Sequence, residues 1–284
     1  MFKGTINVNG RLLDLSLPRV MGIMNLTPDS FFADSRRQTE EQVAVRVRQI
    51  LAEGGDIIDV GAYSTRPGAA EVSVDEEKER LRKGLAILRQ EAPDAIVSVD
   101  TFRAEVAKMC VEEFGVAMIN DISGGDMDDG MFDYVARARV PYIITHMQGT
   151  PQTMQQLPHY DNLLKEIMLS FAQKVERLHQ LKVNDVILDP GFGFGKTADH
   201  NFELLAQLDA FAIFELPLLV GVSRKSMIYQ TLGVSPQEAL NGTTVLHTLA
   251  LSKGANILRV HDVKEAVEAI KLFQRVNYFE QTFS

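Results

Sequence analysis

Eight short apolar runs, separated by amphipathic stretches, constrain the fold of this chain more than any other feature of its sequence. They are VMGIM from Val20, IIDVGA from Ile57, AIVSVD from Ala95, VAMIND from Val116, PYIITHM from Pro141, VILDPG from Val186, LPLLVGVS from Leu216 and ILRVHD from Ile257. Each has the length of a strand buried on both faces, where nothing polar has to alternate with the apolar side chains. The segments between them, such as EEQVAVRVRQILAEGG and DEEKERLRKGLAILRQ, carry apolar residues at helical spacing. Eight strand–helix units in 284 residues predict an α/β chain folded as a (β/α)8 TIM barrel, one domain over residues 1–284. An open doubly wound sheet is the alternative. The first residues, FKGTINVNGRLLDL, predict a short β-hairpin turning at Asn9-Gly10 and placed to plug the amino end of the barrel.

Composition narrows the function classes. Twenty-nine basic residues are scattered against 38 acidic ones, a net charge of −9 with no basic cluster, which argues against nucleic acid or an acidic membrane as the main partner. No apolar run approaches the ~20 residues of a membrane helix, and MFKGTINVNG lacks the apolar core of a signal peptide. The single cysteine, Cys110, lies in AEVAKMCVEEFG and reads as a buried structural thiol. The expectation is a protein of the reducing cytoplasm.

In a (β/α)8 barrel, catalytic groups come from the carboxyl ends of different strands. In chain order those ends offer Asn25, then Thr65 and Arg66, Asp100, Asn120, His146, Asp189, Ser223 with Lys225, and Arg259 with His261. The longest irregular stretches, 25–39, 63–73, 148–159 and 191–200, all follow predicted strands and belong to the same rim. Asp100, Asn120, Asp189 and Lys225 match the hydrogen-bonding edge of a flat polar heterocycle; a carboxylate such as Asp189 accepts two parallel bonds from an amino group and a neighbouring ring N–H. Asp100 has a second reading, as cap of the helix that follows it. Arg66, Arg259 and His261 suit a phosphate-like group, although His261 also reads as a helix-start residue. Asn25 offers a carbonyl oxygen to Mg²⁺, a hard cation that keeps waters and substrate oxygens as its other ligands.

Two look-alikes are set aside. GFGFGKT at 191–197 misses the phosphate-loop spacing by one residue, so Gly195-Lys196 reads as part of a flexible rim loop. Ser223 in GVSRKS fits no nucleophile-elbow pattern, and no His/Cys group has zinc-site spacing.

The segments MGIMNLTPDSFF, DVGAYSTRPGA, VSVDT, INDISGG, HMQGTPQTMQ, ILDPGFGFGKT, VGVSRKS and RVHD together resemble the dihydropteroate synthase family, in the family's order and over nearly the whole chain. The resemblance implies a transferase of folate biosynthesis that condenses 6-hydroxymethyl-7,8-dihydropterin diphosphate with para-aminobenzoate. Carried over by motif, Asp100, Asn120, Asp189, Lys225 and Arg259 would hold the pterin, while Asn25, Arg66, Arg259 and His261, with Mg²⁺, would hold the diphosphate. Thr65, Pro67, Phe194, Ser223 and Lys225 would frame para-aminobenzoate. Asn25, Asp100, Lys225, Arg259 and His261 are the expected catalytic set, and the family implies a homodimer inhibited by sulfonamides. Where many members read GGESTRPG, this chain has Gly61-Ala62-Tyr63-Ser64-Thr65. A pterin-binding methyltransferase would share the barrel but would not need the STRPG and SRKS loops, both present here.

Overall fold

The computed structural model describes residues 2–26, 36–63, 71–151, 153–154 and 158–283. Strands β1 (Thr5–Val8) and β2 (Arg11–Asp14) form an antiparallel hairpin. Asn9 and Gly10 turn it with φ of 52° and 80°, the two positive values that a tight hairpin turn requires. The eight apolar runs then become β3 (Arg19–Asn25), β4 (Ile57–Gly61), β5 (Ile96–Asp100), β6 (Met118–Asp121), β7 (Tyr142–Thr145), β8 (Val186–Asp189), β9 (Leu219–Val220) and β10 (Ile257–Val260). All are parallel to their neighbours, in the order β8-β7-β6-β5-β4-β3-β10-β9. A parallel bridge from Leu188 to Leu218, with the Leu188 amide donating to the Pro217 carbonyl at 2.9 Å, joins the two ends of the sheet. The open-sheet alternative is thereby excluded.

Helices cover the outside: α1 (Arg36–Ala52), α2 (Val74–Glu91), α3 (Ala104–Phe114), α4 (Met131–Ala138), α5 (Leu163–Gln180), α6 (Ala198–Ala206), α7 (Ser226–Leu232), α8 (Leu240–Ser252) and α9 (Val263–Phe283). Local chemistry fixes their starts. Ser73 caps α2 through the Glu76 amide, Asn162 caps α5 through Lys165, and Thr197 with His200 closes a capping box on α6. One core fills the space between helices and strands and contains Cys110, fully buried. A second lies inside the barrel at its amino end. There Ile6, Val8, Leu13 and Leu15 of the hairpin segment pack on Met21, Ile57, Met118, Ile143, Ile187, Leu219 and Ile257.

Side chains two apart on a strand share a face. One step beyond that apolar layer the same strands therefore present Asp59, Ser98, Asn120, Thr145, Asp189 and Arg259. The barrel interior changes from plug to polar pocket within a single pleat.

Candidate functional site

Arg259 organises the polar layer. Its Nε donates to Asp59 Oδ2 at 2.7 Å and its Nη2 to Asp100 Oδ2 at 2.6 Å, while Asn120 Nδ2 donates to Asp59 Oδ2 at 3.0 Å. Burial pulls the guanidinium down, but the facing carboxylates of Asp59 and Asp100 outweigh it and hold Arg259 above its ordinary value. Asp100 is pushed up to about 7 by burial, against the pull of Arg259. The alternative role of Asp100 as a helix cap goes unused, because the Ala104 amide that opens α3 donates to Asp128 Oδ2 at 2.7 Å. Gly61, paired in register with Asp100, leaves the room that close packing needs: a Cβ there would lie 3.3 Å from Asp100 Cβ.

Four buried oxygens of this layer, Asp59 Oδ1, Ser98 Oγ, Asn120 Oδ1 and Thr145 Oγ1, have no hydrogen-bond partner among the described residues. Each such atom costs about 1–3 kcal/mol when left unmet. Gathered in one layer of the barrel interior, these oxygens can accept hydrogen bonds from a polar ligand or from water.

Asp189 closes the pocket from β8, only 5 % exposed, with Oδ1 accepting from the Gly191 amide at 2.8 Å. Burial raises its carboxyl despite the neighbouring Lys225. Lys225 stands just before α7; burial lowers its ammonium to about 8 although Asp189 faces it. Its Nζ donates to the Phe192 carbonyl and lies 4.8 Å from the centre of the Phe194 ring. Asp100, Asn120, Asp189, Lys225 and Arg259 are thus brought into one electrostatically coupled polar cluster, as the strand-end pattern predicts.

A second group gathers at the ends of β3 and β10. His261 Nδ1 lies 3.0 Å from Ser223 Oγ, which also accepts from the His261 amide at 3.2 Å. Burial and the charges of Arg259, Arg224 and Arg46 lower the imidazole to about 4, so it is neutral near pH 7. Arg46 of α1 spans the same region, donating to the His261 carbonyl at 2.8 Å and the Ile23 carbonyl at 3.2 Å. Asn25 is exposed at the end of β3. The point where a Gly61 Cβ would sit is 3.7 Å from Asn25 Oδ1 and 3.6 Å from Asp100 Oδ2, so two oxygens flank it. Among the described residues no group of three or more His, Cys, Asp and Glu forms a metal cage. A side-chain carbonyl beside a carboxylate still suits a cation that arrives with substrate oxygens and waters.

Of the five residues expected around para-aminobenzoate, Phe194 and Lys225 come together, whereas Ser223 directs its hydroxyl to His261. Thr65 and Pro67 lie outside the described residues, as do Arg66 and most of the segments after Asn25 and Tyr63.

Two site residues escape the reading of strand ends. Asp59 is fully buried in the middle of a run, and its signal is the lone charge inside IIDVGA. Lys196 corrects the flexible-loop expectation: it is 4 % exposed, with Nζ within 3.0–3.2 Å of three carbonyls and His146 Nδ1. Its Nζ is engaged by the segment's own carbonyls and by His146, so the residue is built into the rim.

Comparison with known proteins agrees with this geometry. Residues 21–261 match the family described as pterin binding enzyme. The dihydropteroate synthase of Escherichia coli strain K12 is 43% identical over 267 residues, 93% of this chain and 94% of that one. Among solved structures, Yersinia pestis dihydropteroate synthase in a sulfonamide drug complex superposes with a TM-score of 0.89 at 41% identity, covering 96% of this chain and 99% of that one. The Xanthomonas albilineans dihydropteroate synthase with 4-aminobenzoic acid gives 0.88 at 36% identity, covering 97% and 98%.

Proposed function

The chain belongs to the dihydropteroate synthases of the pterin-binding enzyme family, and from that premise we propose that it joins para-aminobenzoate to 6-hydroxymethyl-7,8-dihydropterin diphosphate by a dissociative transfer. The observation that carries this reading is the polar layer in which Arg259 faces Asp59 and Asp100 while four buried oxygens, one of them on Thr145 paired with Asp189, lack donors among the described residues. That layer suits a flat ring bearing an amino group and ring N–H groups.

In this mechanism Asp189 and Asn120 hold the pterin edge, and Arg259 lies against the ring. The methylene C–O bond breaks with its electron pair leaving on pyrophosphate, and the buried carboxylates of Asp100 and Asp189 stabilise the cation spread over the reduced ring. The aniline nitrogen, already unprotonated near neutral pH, adds to the methylene carbon and then loses its proton to solvent. No covalent enzyme intermediate is needed. Lys225, beside Phe194, orients the second substrate. His261, Arg66 and Arg259 bind the diphosphate, and Mg²⁺ held there by Asn25 would neutralise charge on the leaving group.

The test is pyrophosphate release that depends on para-aminobenzoate, with Mg²⁺ supplied. No release at millimolar substrates would leave a pterin-binding protein without this activity. Asp189→Asn, which removes charge and one acceptor, is expected to lower kcat/KM by roughly 2–4 kcal/mol of transition-state stabilisation. Wild-type kinetics in that variant would take Asp189 out of the site. Sulfonamides, bound by the Yersinia pestis relative, should compete with para-aminobenzoate.

We also propose a homodimer in the cytoplasm. Val245 and Leu249 of α8 and Leu272, Val276 and Tyr278 of α9 are 45–71% exposed, and exposed apolar side chains gathered on two adjacent helices suit a protein contact. Among the described residues no helix is long and apolar enough to cross a membrane. Light scattering that returned a monomer mass at micromolar concentration would overturn the dimer.

A further inference from the structure

We propose that Lys196 and His146 form a positioning brace for the second substrate, fixing the 191–195 segment so that the Phe192 carbonyl and the Phe194 ring hold Lys225 in place. This rests on the assignment above of Phe194 and Lys225 to para-aminobenzoate.

The brace is built from the segment's own sequence. Gly191, Gly193 and Gly195 all have positive φ, at 75°, 82° and 62°. Two of them also press directly on the β7 rim: a Cβ on Gly191 would fall 1.9 Å from the His146 carbonyl oxygen, and one on Gly195 2.6 Å from that of Gln148. No larger residue fits such backbone-to-backbone contact. Tyr160 adds a hydroxyl bond to the Gly195 carbonyl at 2.8 Å. The alternation GFGFG thus places glycines against the rim and leaves Phe192 and Phe194 to face the core and the pocket.

Lys196 locks this arrangement. Its Nζ reaches Gly191 O at 3.0 Å and Phe194 O at 3.1 Å within the segment, and His146 O at 3.2 Å and Nδ1 at 3.1 Å across from it. One side chain therefore ties both ends of the turn to His146, the residue that follows β7. His146 is 8 % exposed, and burial together with Lys196 lowers its imidazole to about 2, so the ring stays neutral and Nδ1 accepts. Among the described residues no carboxylate is hydrogen-bonded to Lys196. Burying an ammonium without a bonded counter-ion is expensive, and burial lowers it to about 7 although Asp189 pulls the other way. Fold stability alone does not ask for a cation at this point.

What the brace protects is the setting of Lys225. Besides the Phe192 carbonyl and the Phe194 ring, Gly193 leaves only 3.3 Å between its would-be Cβ and Lys225 Cδ. A small displacement of the segment changes all three contacts together. Among the described residues the Arg259–Asp59–Asp100–Asn120 network makes no hydrogen bond to the segment, and the pterin side meets it through one bond, from the Gly191 amide to Asp189 Oδ1 at 2.8 Å. The consequence is a larger effect on para-aminobenzoate, which meets three contacts of the segment, than on the pterin, which meets one.

The experiment measures both KM values and kcat for Lys196→Met, His146→Leu and His146→Gln, with melting curves for each. Lys196→Met and His146→Leu are expected to raise KM for para-aminobenzoate about tenfold or more, with KM for the pterin diphosphate within about threefold. His146→Gln keeps an acceptor and should stay within about threefold on both. If Lys196→Met does not fold, the two His146 variants decide the matter. Equal rises in both KM values, or His146→Gln as damaging as His146→Leu, would overturn the brace. An inactive wild-type enzyme would instead overturn the synthase assignment.

Discussion

The two ends of the barrel bury polar side chains in opposite ways. At the amino end Asn256 is fully buried and fully bonded: its Oδ1 accepts from the Leu218 amide at 3.0 Å, and its Nδ2 donates to the carbonyls of Leu15 at 2.8 Å and Phe2 at 3.1 Å. Beyond the apolar layer, toward the carboxyl end, Asp59, Ser98, Asn120 and Thr145 each keep an oxygen without a partner among the described residues. The first arrangement stabilises the plug; the second holds unmet hydrogen-bonding capacity ready for a ligand. The distinction is between polar groups that finish the fold and polar groups that the fold leaves unfinished.

The change with the largest expected effect at the unfinished end is Arg259→Ala, which strands Asp59 and Asp100 in the barrel. Removing one partner from a buried ion pair costs about 3–5 kcal/mol. Here the lower part of that range is expected, because Asp100, already pushed up to about 7, can take up a proton. A carboxyl whose folded pKa is raised loses stability as pH climbs from its unfolded value to its folded one. Wild-type Asp100 already carries this dependence up to about pH 7, and loss of Arg259 raises the carboxyl further, so the deficit in urea unfolding should grow above about pH 7. Turnover should fall about a thousandfold as well. A variant with a pH-independent deficit, or with wild-type rates, would break the contrast.

Leu15→Ala probes the finished end. Leu15 is fully buried under the hairpin, and such a truncation costs about 2–5 kcal/mol. The folded fraction should still turn over at the wild-type rate within about twofold, since the apolar layer touches no proposed substrate. A specific loss of kcat would show the ends to be coupled.

How much of this was legible in the sequence follows the same divide. Strands buried on both faces read as unbroken apolar runs, so β3 to β10 and the Asn9-Gly10 hairpin could be placed from residues alone. So could Asp100, Asn120, Asp189, Lys225 and Arg259, because the barrel puts strand ends on one rim. Asp59 was hidden by its position inside a run, where neighbouring apolar residues dominate the pattern. Lys196 was hidden because its partners are mostly backbone carbonyls, which leave no trace in side-chain spacing. The pairing of Ser223 with His261 joins positions 38 apart, a contact that only the closed barrel creates.

A smaller effect separates charge from shape at the unfinished end. Lys225 is lowered to about 8 by burial. Its ammonium is present below that pH and lost above it, so kcat/KM for para-aminobenzoate should decline at most tenfold per unit above about pH 8. Lys225→Arg keeps its charge, and whatever activity remains should lose this alkaline limb. Leu15→Ala should retain it. If the limb persists in Lys225→Arg, another group titrates there.

The smallest effect expected is that of Gly10→Ala, and it isolates backbone conformation from contact. Gly10 sits at φ 80°, and a Cβ there would meet nothing within 4 Å. Its loss therefore reports only the strain of a left-handed backbone, about 1 kcal/mol, with no clash added. Asn9 at φ 52° carries the other half of the turn and tolerates that region better than most residues. The free energy of unfolding should drop by that amount, while both KM values and kcat stay unchanged. A change in either KM would mean that the plug transmits hairpin geometry through the apolar layer to the polar one, and the two ends would then have to be treated as one structure.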